Sequence, residues 1–232
     1  METSTSSSEN QTRKYFAIVF ILGAPGAGKG TLCTHLAKTY NLVHFSVGDN
    51  LRTWMRENRD QPLAKRIQQK LQNQGFLTSE ELNPFILQAI RNAMISQQFY
   101  NGILLDGFPR CMEQLESWNT WPFSDDLTLK GGSKPDVVLF FKVDKKIAKE
   151  RYLTRGRDGN DNDGVFEKRF AEYILETVPV EEVYRKRGML IEVDTNSTKE
   201  ENLALLSRQL DDNDLWQELM TSNIRGKSFF VV

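Results

Sequence analysis

Five apolar segments alternate along the chain with longer segments whose apolar residues recur at helical spacing. The first, residues 15–22 (YFAIVFIL), is an unbroken apolar run, which is typical of a strand buried on both faces of a parallel sheet. The other candidate strands are shorter and lie at residues 42–45, 103–105, 137–141 and 190–193. Strands that alternate with helices predict βαβ units with right-handed crossovers, and therefore an α/β fold with a parallel sheet.

Helical periodicity fills most of the chain between these strands. The first helix is expected to follow residues 23–31, with Leu32 and Leu36 on its apolar face. Thr78 or Ser79 is the expected N-cap of the helix at 80–97, one of a series predicted at residues 48–57, 62–73, 80–97, 111–118, 145–154, 166–186 and 199–210. Two polar, glycine-containing stretches, residues 122–135 and 155–164, are predicted to be loops.

Composition limits the class of protein and its partners. The 232 residues suit one domain at 15–211, with a disordered tail at 1–14 and an extension at 212–232. The 30 basic and 31 acidic residues give a net charge of −1, so we expect neither a nucleic-acid nor a membrane partner. The polar N-terminal segment lacks the features of a secretory signal, which predicts a cytoplasmic protein, with the nucleus as the alternative. We therefore expect its two cysteines to be reduced thiols.

The strongest chemical signal is the segment GAPGAGKGT at residues 23–31, which follows the first strand and opens the first helix. Glycines let consecutive backbone N–H groups converge on phosphate oxygens, and the helix N-terminus adds a favourable dipole. Lys29 is expected to reach the β- and γ-phosphates of a nucleotide as a mobile positive charge. The usual phosphate loop has Ser or Thr directly after the lysine. This chain has Gly30 and then Thr31, which marks a subclass.

A second segment, ILLDGFPR at residues 103–110, ends a candidate core strand with an acid. Such an acid lies at the carboxyl edge of the sheet, near the phosphate loop. Asp106 is expected to hold Mg²⁺ through its water shell, and Arg110, after a turn fixed by proline, to bind a phosphate group. Each residue alone would more often form a salt bridge. Together with the phosphate loop they favour a nucleotide site.

Two further segments offer arginines to anionic groups. FSVGDNLR at residues 45–52 starts a helix and puts Arg52 one turn in, although alone it is better interpreted as a capped helix with an exposed arginine. Farther along, Arg155, Arg157 and Arg169 are positioned to surround a transferring phosphoryl group. Without the other motifs, that stretch would be interpreted as a solvated charged loop.

In their order and spacing, GAPGAGKGT, FSVGDNLR, DGFPR and the arginine-rich segment resemble the nucleoside monophosphate kinases of the adenylate kinase and UMP-CMP kinase type, from about residue 15 to 210. The resemblance implies a P-loop kinase with a five-stranded parallel sheet flanked by helices. It implies an inserted lobe for the nucleoside monophosphate (NMP) at about 46–77 and a short lid at about 155–165. ATP and Mg²⁺ are the implied cofactors and an NMP is the implied substrate. We expect a monomer without a structural metal.

The resemblance also implies a role for each motif position. The ATP phosphates would be bound by Gly26, Ala27, Gly28, Lys29, Gly30, Thr31 and Arg155. The acceptor would be bound by Ser46, Val47, Arg52, Phe76, Leu77, Thr78, Gly107, Phe108, Pro109, Arg110, Gln114 and Arg169. The catalytic positive charge would come from Lys29, Arg110, Arg155, Arg157 and Arg169. Asp106 and Thr31 would orient Mg²⁺ through water.

The preferred acceptor is left open by the motifs. Gln114 is typical of adenylate kinases but also occurs in some fungal UMP kinases, whereas CMEQLESW and VVLFFKVD look more like UMP-CMP kinases. We favour UMP and CMP, with AMP as a further or alternative acceptor. The lid departs from the family pattern, since Asn160 and Gly164 stand where the family has acidic residues. A catalytically impaired nucleotide-binding regulator is therefore a second alternative. A P-loop GTPase is disfavoured, because the chain has no Asn-Lys-x-Asp segment.

Overall fold

The strands form a single five-stranded parallel sheet. The computed structural model describes residues 16–72, 76–96, 98–120, 135–155 and 162–225. The strands, in the spatial order β2-β3-β1-β4-β5, are β1 Ala17–Gly23, β2 Leu42–Ser46, β3 Gly102–Asp106, β4 Val137–Lys142 and β5 Leu190–Asp194. All four neighbouring pairs are parallel, so the predicted α/β fold with a parallel sheet is confirmed.

Helices connect the strands and cover both faces of the sheet. Their bounds are α1 Lys29–Tyr40, α2 Val47–Glu57, α3 Pro62–Gln72, α4 Ser79–Ile95, α5 Met112–Thr120, α6 Lys145–Thr154, α7 Asp163–Glu172, α8 Val178–Lys186, α9 Lys199–Asp211 and α10 Asp214–Arg225. Thr78 caps α4 in a capping box with Glu81, as one of the two predicted caps. In the part of the chain that the structure describes, no helix is both long and apolar enough to cross a membrane.

Successive residues of β1 enter two different cores. Ile18 and Phe20 pack with residues of α4, α5 and α8 on one face, whereas Val19 and Ile21 pack with residues of α1, α9 and α10 on the other. The unbroken apolar run at 15–22 therefore has the predicted physical origin, because a strand covered on both faces needs apolar side chains at every position.

The C-terminal region departs from the predicted extension at 212–232. Helix α10 lies there, and the side chains of Trp216, Leu219 and Met220 are buried in the core beside α9. The ring of Trp216 meets the Tyr40 ring edge to face, with the centroids 5.1 Å apart. These three residues recur at helical spacing, and the stripe that they form covers the core.

The predicted helix at 166–186 begins earlier and is interrupted. Asn162 caps α7 by accepting a hydrogen bond from the Val165 amide at 3.0 Å. A π-helical segment, Tyr173–Thr177, then joins α7 to α8. Pro179 has no amide hydrogen to donate to the carbonyl four residues before it, and a wider turn accommodates that missing bond.

The register of the strands brings three loops together at the carboxyl edge of the sheet. Asp106, the last residue of β3, pairs with Ile21 of β1 on one side and with Ser46 of β2 on the other. The glycine-rich loop, the start of α2 and the turn after β3 therefore leave the sheet side by side. In parallel α/β sheets this edge is the usual place for a ligand.

At the opposite edge, Asp136 joins the start of β4 to β1 and gives a prediction for the pH dependence of stability. Its carboxylate accepts a hydrogen bond from the Ile18 amide at 2.7 Å, but burial still raises its pKa to about 7. An unfolded aspartate has a pKa near 3.9, so the native state binds this proton more tightly. Protonated Asp136 therefore contributes its full stabilisation below about pH 4, and this contribution is lost as the pH rises through about 7.

The stability advantage of Asp136→Asn over the unmodified protein should therefore grow as the pH rises from 4 to 8, to on the order of 4 kcal/mol. The asparagine oxygen is able to keep the bond from the Ile18 amide without the buried charge. Urea unfolding of both proteins at several pH values measures the difference. If the free energies of unfolding of the two proteins changed with pH in parallel, Asp136 would not titrate as described.

Candidate active site

A cleft of about 940 Å³ opens at the carboxyl edge of the sheet. Its walls come from the glycine-rich loop, the first turns of α1 and α2, the turn after β3, and the facing ends of α6 and α7. The volume falls within the range of small-molecule sites, which are about 300–1,000 Å³. The cleft is thus large enough to hold a nucleotide.

The glycine-rich loop, residues 23–28, has a shape that only glycines permit at two positions. Gly26 has a φ of 87°, and a Cβ atom there would lie 2.1 Å from the Ala148 carbonyl oxygen of α6. Gly28 has a φ of 81° and caps α1, so that the amide groups of the first turn point into the cleft. The loop therefore offers backbone donors and a helix N-terminus to an anion.

Lys29 folds back over this loop. Its Nζ donates hydrogen bonds to the carbonyl oxygens of Gly23 at 2.7 Å and Ala24 at 3.0 Å. Burial lowers the pKa of the Lys29 ammonium from its ordinary value, and the Asp106 carboxylate opposes that shift. The ammonium is therefore held where a phosphate bound in the loop would meet it, next to a carboxylate that favours its charged form.

The turn after β3 is anchored at several points. Asp106 is 7% exposed, and its Oδ2 atom is 3.2 Å from His44 Nε2. The Gly107 amide donates to the Ile21 carbonyl at 3.1 Å, and Arg110 Nε donates to the Gly107 carbonyl at 3.0 Å. Phe108 points away from the cleft into the core, where its ring lies 5.4 Å from that of Phe20. These contacts hold the turn in place and so fix the backbone position from which the Arg110 side chain extends.

Two guanidinium groups converge beside Gly48. A Cβ atom built on Gly48 would lie 3.5 Å from Arg52 Nη1 and 3.7 Å from Arg110 Nη2. Arg52 is also ion-paired with Asp49, one turn before it in α2. This segment does form the predicted capped helix, because Ser46 caps α2. The same helix nevertheless brings Arg52 to Arg110. Together they form a positive patch suited to a phosphate group.

A second pair of arginines is held by Tyr152, a fully buried residue of α6 that the sequence did not single out. Arg169 Nη1 donates a hydrogen bond to the Tyr152 hydroxyl at 2.9 Å. The Arg155 guanidinium lies over the Tyr152 ring, 4.1 Å from its centroid. One aromatic side chain therefore orients both arginines toward the cleft, although they are distant in sequence and belong to different elements.

Gln114 ties the cleft wall to the turn after β3. It is 1% exposed, its Oε1 atom accepts from the Arg110 amide at 2.8 Å, and its Nε2 atom donates to the Leu77 carbonyl at 2.8 Å. Each end of the amide thus has a backbone partner. Thr177, in the π-helical segment, donates from its hydroxyl to the Arg110 carbonyl at 2.8 Å. Neither the π segment nor this contact could be predicted from the sequence.

Most of the predicted site residues line the cleft. They are Gly26, Ala27, Gly28, Lys29, Gly30, Thr31, Ser46, Val47, Arg52, Phe76, Leu77, Asp106, Gly107, Pro109, Arg110, Gln114, Arg155 and Arg169. The structure does not bring the other two described candidates into it, because Phe108 is in the core and Thr78 is occupied as the cap of α4. Arg157 lies outside the described residues.

Glu172 is an acidic wall residue that lies outside the sequence motifs. It lines the cleft, and its charge interacts with those of Arg110 and Arg169. Burial raises the pKa of its carboxyl group, and the two guanidinium groups oppose that rise. An acid at this place balances part of the positive charge of the arginines.

Comparisons with known proteins agree with this geometry. A family model described as "Adenylate kinase" matches residues 21–189. The UMP-CMP kinases of Sus scrofa and Homo sapiens are both 31% identical to the chain over 187 residues, which cover 79% of this chain and 91% of each relative. The UMP-CMP kinase of Danio rerio is 30% identical over 200 residues, covering 85% and 98% respectively.

The chain therefore belongs to the adenylate kinase family. It is an ATP-dependent nucleoside monophosphate kinase. The predicted class of enzyme is thereby confirmed, together with its use of nucleotide substrates.

Proposed function

We propose that this kinase transfers the γ-phosphoryl group of ATP to UMP or CMP, with AMP as a further acceptor. The observation that carries the proposal is the state of Gln114, which would pair with adenine in an AMP-selective member of the family. Its amide oxygen and nitrogen each already bind a backbone group, Arg110 N–H and the Leu77 carbonyl. Half of its hydrogen-bonding capacity is therefore committed to the wall of the cleft. The names of the UMP-CMP kinase relatives support the same choice.

We propose that the two ends of the cleft divide the substrates between them. The phosphate loop, with Lys29, would take the ATP phosphates, while Arg52 and Arg110 would take the acceptor phosphate. Arg155 and Arg169, held by Tyr152, would lie between the two and neutralise the transferring group. No protein nucleophile is required, because an acceptor phosphate oxygen attacks in line. Catalysis would then consist of positioning and charge neutralisation.

The proposed metal is Mg²⁺, and the described residues fit it. Asp106 and Thr31 both line the cleft at the phosphate loop and offer a carboxylate and a hydroxyl, which are the oxygen donors that Mg²⁺ and its water shell prefer. When bound, the ion would neutralise charge on the β- and γ-phosphates. His44, whose Nε2 atom is 3.2 Å from Asp106 Oδ2, would hold that carboxylate in place.

Exclusion of water is the proposed role of two parts of the chain. Helices α2 and α3 would form the NMP-binding lobe at about 46–77, and the segment at about 155–165 would form the lid. Closure of both over the nucleotides would prevent hydrolysis of ATP by water. The shortened lid motivates the alternative of a regulator that binds nucleotides without turnover.

A coupled assay of ADP formation from MgATP, run with AMP, UMP, CMP and dCMP, tests the proposal. We expect the highest kcat/KM with UMP or CMP. A higher kcat/KM with AMP would reassign the protein as an adenylate kinase. Tight ATP binding with no product from any acceptor would favour the regulator.

Thr177 gives a prediction about a positioning residue. Thr177→Val keeps the shape of the side chain but leaves the Arg110 carbonyl without its donor, a loss of about 1–3 kcal/mol. We expect the KM for the acceptor to rise by about tenfold, while the KM for ATP stays within about twofold of its original value. Thr177→Ser, which keeps the hydroxyl, is the matched control and should restore acceptor binding. An unchanged acceptor KM in Thr177→Val would show that this bond does not position Arg110.

A further inference from the structure

A cluster of metal-ligand side chains lies beneath the phosphate loop. Cys33 of α1, His44 of β2 and Asp106 of β3 each offer one ligand atom, and these atoms all lie within 4.8 Å of one another. Within the cluster, His44 Nε2 is 3.2 Å from Asp106 Oδ2. We propose that the Cys33–His44–Asp106 cluster binds a thiophilic divalent cation such as Zn²⁺ and that the bound cation inhibits the kinase.

The donor set discriminates between cations. Zn²⁺ is bound by thiolate sulfur, imidazole nitrogen and carboxylate oxygen, and three such protein ligands leave a fourth position for water or substrate. Mg²⁺ prefers oxygen ligands alone, so sulfur and nitrogen donors select against it. The cluster is therefore chemically distinct from the Mg²⁺ position proposed for catalysis, although the two share Asp106.

The geometry is close to that of a zinc site. With metal–ligand bonds of about 2.0–2.3 Å, two nitrogen or oxygen ligands of a tetrahedral ion lie about 3.3 Å apart, and a sulfur lies about 3.6 Å from either. The His44–Asp106 separation of 3.2 Å already meets this requirement. Cys33 Sγ, within 4.8 Å of both other ligand atoms, has to approach each of them by at most about 1.2 Å.

The surroundings suit a tightly held ion. Cys33 is fully buried and Asp106 is 7% exposed, so water competes little for the ligand positions. The His44 side chain is 19% exposed, so one ligand of the cluster is accessible to solvent. All three residues lie on regular elements, and β2 and β3 are paired in register, which fixes the relative positions of His44 and Asp106.

The inhibitory effect follows from the position of Asp106. A bound Zn²⁺ would occupy the carboxylate proposed to hold the Mg²⁺ water shell. It would also add positive charge near Lys29, whose ammonium interacts electrostatically with Asp106. Phosphoryl transfer should then slow even in excess Mg²⁺. This consequence rests on the proposed function, whereas the binding itself does not.

Binding is tested by titrating the full chain with Co²⁺ in the absence of nucleotide. We expect one equivalent to produce a thiolate-to-cobalt charge-transfer band and the visible bands of four-coordinate cobalt, and Zn²⁺ to displace it. Cys33→Ala should lose the charge-transfer band, and Cys33→Ala and His44→Gln should each bind at least about tenfold more weakly. Cys111→Ala removes the other cysteine and should keep the band. Thermal melting shows whether each variant is folded.

Two outcomes would overturn the site. One is an unmodified protein that gives no thiolate band with Co²⁺. The other is a thiolate band that survives in folded Cys33→Ala, or Co²⁺ affinity that is unchanged in folded His44→Gln. If one of the two cluster variants does not fold, the other decides the result.

Inhibition is tested by adding micromolar Zn²⁺ to the ATP and UMP assay at a fixed excess of Mg²⁺. The unmodified protein and Cys111→Ala should lose at least about fivefold in turnover, whereas Cys33→Ala should keep its own zinc-free rate. Equal inhibition of Cys33→Ala would place the inhibitory ion elsewhere. Absence of turnover without any Zn²⁺ would instead refute the proposed function, and the Co²⁺ experiment would still decide whether the site binds metal.

Discussion

Lys29→Met is expected to lower the turnover of phosphoryl transfer by at least about a hundredfold, the usual cost of removing one preorganised charge or donor from a transition state. Methionine keeps most of the apolar stem but removes the ammonium that lies over the phosphate loop. Among the described lysines, only Lys29 and Lys199 of α9 line the cleft, and only Lys29 belongs to the phosphate-loop motif. Steady-state assays with saturating MgATP and UMP measure the loss.

The control for this variant is stability. Lys29 makes two hydrogen bonds to loop carbonyls, so Lys29→Met should melt cooperatively with only a modest decrease in Tm. Lys38, an exposed residue of the same helix, supplies a matched substitution, and Lys38→Met should keep full turnover. If folded Lys29→Met kept the turnover of the unmodified protein, the phosphate loop would not be the site of transfer.

Arg110→Ala is the second variant with a large expected effect, and it should act on the acceptor side. Its guanidinium converges with that of Arg52 beside Gly48, so the substitution removes one of the two charges of this positive patch. We expect kcat/KM for the acceptor to fall by about a hundredfold to a thousandfold, with the KM for ATP within about threefold of its original value. Arg110→Lys should recover only part of the loss, because an ammonium lacks the planar fork that binds two phosphate oxygens.

The ATP and acceptor constants of Arg110→Ala decide its interpretation. An effect confined to the KM for ATP would assign Arg110 to the donor side of the cleft. Equal loss in Arg110→Ala and Arg110→Lys would point to the bidentate geometry, rather than charge, as the source of binding.

The parts of the fold that the sequence predicts are those set by local pattern. The apolar run at 15–22 requires a strand with both faces covered, and the glycines at 26 and 28 require a loop with positive φ. Asp106 and Ser46 follow from their positions at the ends of strands, since parallel strands bring their carboxyl ends to one edge. In these cases a short segment carries all the necessary information.

The parts that the sequence does not predict depend on contacts between distant segments. In the sequence, Tyr152 is indistinguishable from any other residue on the apolar face of a helix. Only the packing of α6 against α7 shows that it orients two arginines. Thr177 reaches the Arg110 carbonyl from a π-helical segment, which no local pattern predicts. Phe108 is the opposite case, because it lies inside a motif predicted to bind the acceptor but packs in the core. Motif membership alone cannot separate a side chain that contacts a ligand from one that anchors the loop.

In the proposed reaction, this cleft passes a phosphoryl group directly from ATP to a pyrimidine nucleoside monophosphate. Phosphorus NMR of the protein with MgATP and UMP tests it most directly, because it identifies every phosphate-containing product. We predict that ADP and UDP appear in equal amounts without inorganic phosphate, as expected when closure excludes water. Release of inorganic phosphate without UDP, or ATP that stays intact in the presence of UMP and CMP, would contradict the claim.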